Sequence, residues 1–274
     1  MIDLSRTATM ADYLIGAHVG SEDPLQAAAA RSADAVQIFL GNPQSWKKPD
    51  PRDDVDALRA NKLPIYVHAP YPMNLASGNN RVRIPSRKTL AHIVSAAAEF
   101  GAAGVVVHGG SVEDDEDLAV GFERWRKALD SFDVTVPILV ENTAGSGNSV
   151  MQDLNNYGPL WEAIGDYDVG VCLDTCHAWA AGAAMEDAVA LIAGLTGGVA
   201  LVHANDSRDP AGSNRDRHEN LGHGEIPEEL LVGVVLAAKA TAIVETRGDS
   251  EQQAADIAWL RERLEAGTNS PGQP

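Results

Sequence analysis

Hydrophobic residues in this chain gather into eight short blocks separated by amphipathic stretches. The blocks cover 14–19, 35–40, 64–68, 104–108, 136–141, 169–174, 199–204 and 242–245. Most are apolar throughout, as in LPIYVHAP, GVVVHGG and VGVCLDTCH. Such runs predict parallel strands buried on both faces. Helix-like stretches lie between them at 24–33, 51–61, 86–100, 118–130, 150–164, 184–195, 227–240 and 250–265. Eight alternating β and α units predict an α/β fold of the (β/α)8 TIM-barrel type, whose usual size is ~250 residues. A doubly wound open sheet is the alternative; it would place a site at one switch point. The expected organisation is an N-terminal tail over 1–13, one barrel domain over 14–266 and a C-terminal tail over 267–274.

The polar residues that end these blocks carry the chemistry. His68, His108, Glu141, Asp174, His203 and Glu245 each close an apolar run. His177 follows Asp174 by three positions, and Asp216 and His218 sit in the long connection from Asn205 to Ile226. The C-terminal face of a barrel is where catalytic groups collect. A lone histidine at a strand end is usually structural, but nine metal-competent groups at one face point to a shared multinuclear site. Buried Asp and Glu are rare unless paired or metal-bound. Catalytic zinc takes about three protein ligands and leaves a position for water, so nine ligands with one bridging carboxylate suit three ions. Imidazole and carboxylate donors suit Zn²⁺, with Mn²⁺ or Fe²⁺ possible at some sites. Four carboxylates against three divalent ions leave the centre positive, which favours an anionic substrate such as a phosphodiester.

Charge adds a second clue. The chain of 274 residues carries a formal net charge of −18, with 21 Lys+Arg against 39 Asp+Glu. Taken whole, that argues against nucleic acid. The loops expected on the site face differ: 41–52, 71–88, 205–223 and 246–248 hold 11 basic residues and 5 acidic ones. Arg215, Arg217 and Arg247 are among the basic residues, and Gln44, Trp46, Tyr71, Asn74 and Leu75 lie in the same loops. A basic face on an acidic body suits docking of a nucleic-acid backbone, and Trp46, Tyr71 and Leu75 could wedge into or stack on an opened duplex. The acidic run at 113–117 is expected to start a helix.

Two cysteines, Cys172 and Cys176, argue against a disulfide scaffold and fit a reducing cytoplasm. No run of 18 apolar residues exists, so no transmembrane helix or membrane partner is expected. The N-terminal stretch lacks the apolar core of a secretion signal. A monomer without an obligate protein partner is the default.

Several segments resemble the endonuclease IV family of apurinic/apyrimidinic (AP) endonucleases, also called deoxyribonuclease IV. They are IGAHV (15–19), QIFLGNPQSW (37–46), HAPYPMNLAS (68–77), VVHGGS (106–111), LVENTAG (139–145), CLDTCHAWAAG (172–182), the 202–226 stretch with Asp-Arg-His, and IVETRG (243–248). The resemblance spans about 14–265 and implies a xylose-isomerase-like barrel. It implies a first zinc on His68 and His108, with Glu141 bridging to a second on Asp174, His203 and Glu245. A third would use His177, Asp216 and His218. It further implies hydrolysis of the phosphodiester 5′ to an abasic site in double-stranded DNA by a bridging hydroxide, leaving a 3′-hydroxyl and a 5′-deoxyribose phosphate. Glu141, His68, Asp174 and Glu245 would be catalytic. Tyr71 matches an aromatic DNA-penetrating residue, and Gln44, Trp46, Asn74, Arg215, Arg217 and Arg247 are the further expected DNA contacts. One departure stands out: Gln44 occupies a wedge-loop position where the family can place an arginine. Two other functions fit parts of the pattern. A sugar isomerase or epimerase would need only Glu141, Asp174, His203 and Glu245 with one or two ions. A non-catalytic damage-binding module would keep zinc for structure, although structural zinc sites are usually rich in cysteine.

Overall fold

A computed structural model describes residues 13–269. All eight apolar blocks form strands of one closed parallel barrel. They are β1 (Ile15–His18), β2 (Val36–Ile38), β3 (Ile65–His68), β4 (Gly104–His108), β6 (Ile138–Glu141), β8 (Val169–Asp174), β9 (Leu201–His203) and β12 (Thr241–Val244). Each pairs with its neighbour in sequence, and β1 closes the ring on β12. Two short antiparallel ribbons stand beside the barrel: β5 (Ser111–Val112) with β7 (Asn148–Ser149), and β10 (Asp206–Ser207) with β11 (His218–Glu219).

The period of two along each strand sorts the residues into inner and outer columns. Outer residues such as Val105, Val107, Ile138 and Val140 join the large core beneath the helices. Inner residues form a separate lumen cluster of Ala35, Tyr66, Val106, Leu139, Cys172, Leu201 and Ile243. Two positions further along each inner column lie Gln37, His68, His108, Glu141, Asp174, His203 and Glu245. On β1 the lower position is Gly16, where an added Cβ would stand 2.1 Å from the carbonyl oxygen of Ala35, and the upper one is His18. One rule of alternation therefore builds a polar storey of eight residues on an apolar one.

The helices are α1 (Pro24–Arg31), α2 (Val55–Ala60), α3 (Asn80–Phe100), α4 (Leu118–Leu129), α5 (Tyr157–Ile164), α6 (Thr175–Ala181), α7 (Ala188–Thr196), α8 (Glu228–Ala238) and α9 (Ser250–Asn269). Three differences from expectation matter. Helix α3 starts at Asn80 rather than 86, because the Asn79 side chain accepts the Arg81 N–H and caps it ahead of Pro85. Helix α6 was not expected; it carries His177, which is thus helical and not in a loop. Helix α9 runs to Asn269, three residues into the stretch expected as a tail, with Gly267 against Leu236 of α8. The acidic run does start a helix: Asp117 caps α4, and Glu116 pairs with Arg124. Most of the expected N-terminal tail, residues 1–12, lies outside the described residues, while Tyr13 is buried. Among the described residues, no helix is long and apolar enough to cross a membrane.

Candidate metal centre at the mouth of the barrel

All nine expected ligands converge above the lumen. Glu141, fully buried at the end of β6, is the hub. Its Oε2 lies 3.3 Å from His68 Nε2 and 3.2 Å from His108 Nε2. Its Oε1 lies 3.0 Å from His203 Nδ1 and 3.4 Å from His177 Nδ1. His203 Nδ1 in turn faces Glu245 Oε2 at 3.2 Å and Asp174 Oδ2 at 3.9 Å. On the outer side, Asp216 Oδ1 stands 3.2 Å from both His177 Nε2 and His218 Nε2. Asp216 is the exposed member of the cluster.

Local folding positions each group. Asp174 ends β8 and caps α6, its Oδ1 accepting the His177 N–H at 2.7 Å, so the capping carboxylate sets His177 one turn into the helix. His218 is carried by β11, whose pairing with β10 orders the long connection. Asp206 reinforces that order by accepting N–H bonds from Gly222, Gly224 and Ile226.

The donor set fits metal ions. His68 Nδ1 lies 2.7 Å from the Ala69 carbonyl oxygen, and His177 Nδ1 lies 3.0 Å from that of Asn142. Donating there leaves each opposite nitrogen free towards the cluster, the arrangement typical of metal-binding histidines. His218 Nε2 is buried with no hydrogen-bond partner although carboxylates surround it. Three groups gather their donor atoms tightly enough for an ion: His68–His108–Glu141, Glu141–Asp174–His203–Glu245, and Asp174–His177–His218. Asp216 with His218 forms a further group that includes Cys176. Burial pushes the Cys176 thiol up to about 12, so it is protonated where the nine others offer lone pairs or charge.

Electrostatics tell the same story. Burial alone would lower the affinity of His177 and His203 for protons, but the surrounding negative groups outweigh it and raise both. His218 rises to about 9 against its burial, through Asp216 and Asp174. Glu141, Glu245 and Asp216 are pulled below the usual carboxylate range despite burial, by the imidazoles around them. Four carboxylates in so small a volume demand positive charge, from protons or from cations.

A cleft of about 320 Å³ opens over the cluster, rimmed by Tyr71, Arg217 and Arg247. Another cleft, beside Asp153 and Asp187, is larger at about 570 Å³ but is lined by none of the nine clustered residues. Tyr71 is half-exposed, its ring centroid 5.8 Å from that of His68 and 6.2 Å from that of His108. Burial, then the charges of Glu245 and Glu141, push its hydroxyl up to about 12, so it is a neutral phenol. Its N–H donates to the Pro43 oxygen at 2.9 Å and ties it to the loop of Gln44 and Trp46, both exposed.

Some expected contacts stand differently. Leu75 is fully buried and cannot wedge into a duplex. The Asn74 amide is engaged within the protein, accepting from Ala76 and Ser111 N–H groups and donating to Ser111. Arg215 and Arg217 both pair with Asp209, and Arg208 pairs with Glu219. The face is basic by count but partly neutralised by pairing; no ion pair holds Arg247 among the described residues. Sequence reasoning missed Gln37, Asn142 and Asn205. Asn142 brackets the Asp174 backbone, Oδ1 accepting its N–H and Nδ2 donating to its carbonyl, and Asn205 donates to Asp174 Oδ2 at 2.7 Å. The signal for Gln37 was available: an amide inside the apolar run AVQIFL.

The chain matches the xylose isomerase-like TIM barrel family over residues 25–263. A probable endonuclease 4 of Mycobacterium bovis is 59% identical over 250 residues, covering 91% of this chain and 98% of that one. The probable endonuclease 4 of Mycobacterium marinum is 57% identical over 251 residues, covering 92% and 99%. Among solved structures, endonuclease IV from Thermus thermophilus superposes with a TM-score of 0.80 at 32% identity, covering 92% of this chain and 99% of that one. A D-tagatose 3-epimerase-like protein superposes at 0.74 with 18% identity, a likeness of fold alone. The chain is a xylose isomerase-like TIM barrel and, within that group, belongs to the endonuclease IV family.

Proposed function

We propose that this chain is a DNA-repair AP endonuclease. It hydrolyses the phosphodiester 5′ to an abasic site in double-stranded DNA, leaving a 3′-hydroxyl and a 5′-deoxyribose phosphate. The observation that carries the reading is Glu141, whose two oxygens each face a different pair of histidines inside one nine-residue cluster. Endonuclease names among the similar proteins support the same class.

Three zinc ions would be held: one by His68, His108 and Glu141, a second by Glu141, Asp174, His203 and Glu245, and a third by His177, Asp216 and His218. Mn²⁺ or Fe²⁺ could replace zinc at some sites. When bound, the ions supply Lewis acidity and an activated water for attack on phosphorus. The chain's own residues do the rest. Glu141, shared by two of the groups, would hold both ions. His68 and His177 present one nitrogen because a carbonyl accepts from the other. Tyr71 covers the edge of the cluster and offers a ring face to an unstacked nucleotide. Arg247 and Arg217 at the rim face the phosphate backbone, and Gln44 and Trp46 reach the duplex beside the lesion. Gln44 lacks the charge an arginine would bring, so lesion discrimination shifts while cleavage survives. The reading also carries a monomer acting in the cytoplasm without an obligate protein partner.

The test is a labelled duplex with one tetrahydrofuran abasic analogue, incubated with and without a strong chelator. The analogue resists β-elimination, so a chelator-sensitive cut on its 5′ side leaving a 3′-hydroxyl is hydrolytic and supports the reading. Absence of any cut by metal-loaded protein sinks it. The group Glu141–Asp174–His203–Glu245 would by itself suit a sugar isomerase. That chemistry leaves His68, His108, His177, Asp216 and His218 without a task; about one ion per chain would favour it and about three would not.

A further inference from the structure

The upper storey of the barrel has eight residues, and six of them are assigned as ligands above. Of the other two, Gln37 on β2 is fully buried and hydrogen-bonds two of the four members of one ion group, Glu245 and His203. Its Nε2 donates to Glu245 Oε1 at 2.7 Å and lies 2.9 Å from His18 Nδ1. Its Oε1 lies 2.9 Å from His203 Nε2. The orientation of the amide follows from chemistry. A carboxylate can only accept, so the nitrogen of Gln37 faces Glu245. The oxygen then faces His203, which must carry its proton on Nε2. That leaves Nδ1, which lies 3.0, 3.2 and 3.9 Å from Glu141, Glu245 and Asp174, as the nitrogen that would face an ion held among them. The same amide holds one oxygen of Glu245 and leaves Oε2 for the cluster. His68 and His177 get their orientation from main-chain carbonyls, which no substitution removes. His203 gets its orientation from a side chain.

We propose that Gln37 is a positioning residue for the metal centre: its single amide sets the tautomer of His203 and the rotamer of Glu245, and so defines the site formed by Glu141, Asp174, His203 and Glu245. The inference rests on the metal reading above and deepens it. Gln37 makes no hydrogen bond to the His68–His108 pair or to the His177–Asp216–His218 group among the described residues. Its loss therefore weakens one ion and spares two. Outer partners of this kind change metal affinity by about 10–100-fold.

The experiment measures zinc per chain and zinc dissociation constants, by competition with a chromogenic chelator, for wild type, Gln37→Met and Gln37→Glu. Methionine keeps the length and removes the hydrogen bonds to His18, Glu245 and His203. Glutamate keeps an acceptor for His203 and sets a negative charge against Glu245, so it covers the case in which the first variant fails to fold. Apoprotein unfolding is followed alongside. The expected result is one zinc bound about 10–100-fold more weakly, with two unchanged, in an apoprotein that still unfolds cooperatively. Wild-type affinity at every ion overturns the proposal. So does equal weakening of all three, which would mark Gln37 as a packing residue. Wild type that binds no zinc overturns the metal reading itself, and with it this one.

Discussion

Asp174 binds the backbone of His177 through one oxygen, at 2.7 Å, and turns the other towards Asn205 and His203. One carboxylate thus ends a strand, starts a helix and belongs to the cluster. The two duties separate by substitution. Asp174→Asn keeps a capping oxygen and should leave apoprotein stability near wild type while metal content and cleavage fall sharply. Asp174→Ala should add a stability loss of about 1 kcal/mol from the missing cap. Thermal unfolding of the two apoproteins, beside their zinc content, checks this; equal stability of the two would show that the cap contributes nothing.

Glu141→Gln should depress cleavage by at least about 100-fold, the upper end of what even an outer partner costs. His177→Ala, Asp216→Ala and His218→Ala should each lose one ion and cleave poorly. Single-turnover rates on the tetrahydrofuran duplex, paired with metal analysis, decide it. Near-normal cleavage by a variant lacking the third ion would refute the trinuclear assignment.

The ring of Tyr71, rather than its hydroxyl, is expected to matter. The hydroxyl is pushed up to about 12 and stays neutral at working pH. Tyr71→Phe should therefore bind abasic DNA nearly as wild type does. Tyr71→Ala should lose about 1–3 kcal/mol, the worth of one aromatic–base stack. Equilibrium binding in the presence of chelator, which blocks turnover, separates the two.

Burial pushes the thiols of Cys172 and Cys176 up to about 12. Neither should react with iodoacetamide in the folded protein at pH 8, and both should react in denaturant, as mass spectrometry would reveal. Rapid labelling of the native chain would mean that the lumen opens far more often than its packing implies.

Much of this architecture was legible in the amino-acid pattern, for a physical reason. A strand buried on both sides is written as an apolar run, and its polar exit marks the barrel mouth. Helix α6 was not legible because TCHAWAA is short and buried on most sides, so it shows no amphipathic period. Leu75 and Asn74 misled because a loop that follows a strand also turns inward: Leu75 fills core, and Asn74 bridges to Ser111. Gln37 shows only as an amide inside the apolar run AVQIFL, and an amide is neither a charge nor a usual ligand, so its task was not legible. Its meaning comes from partners that the barrel brings beside it, among them His203 and Glu245, 166 and 208 positions along the chain.

The spread of the ligands over successive strands also sets a chronology. A chain leaving the ribosome completes His68, His108 and Glu141 when half of it has been made. The group of His177, Asp216 and His218 follows. The group that includes Glu245 needs β12, the strand that pairs with β1 and shuts the ring. That last group is complete only once the ring has closed, so a chain cut short of β12 would lack Glu245 and any ion that needs it.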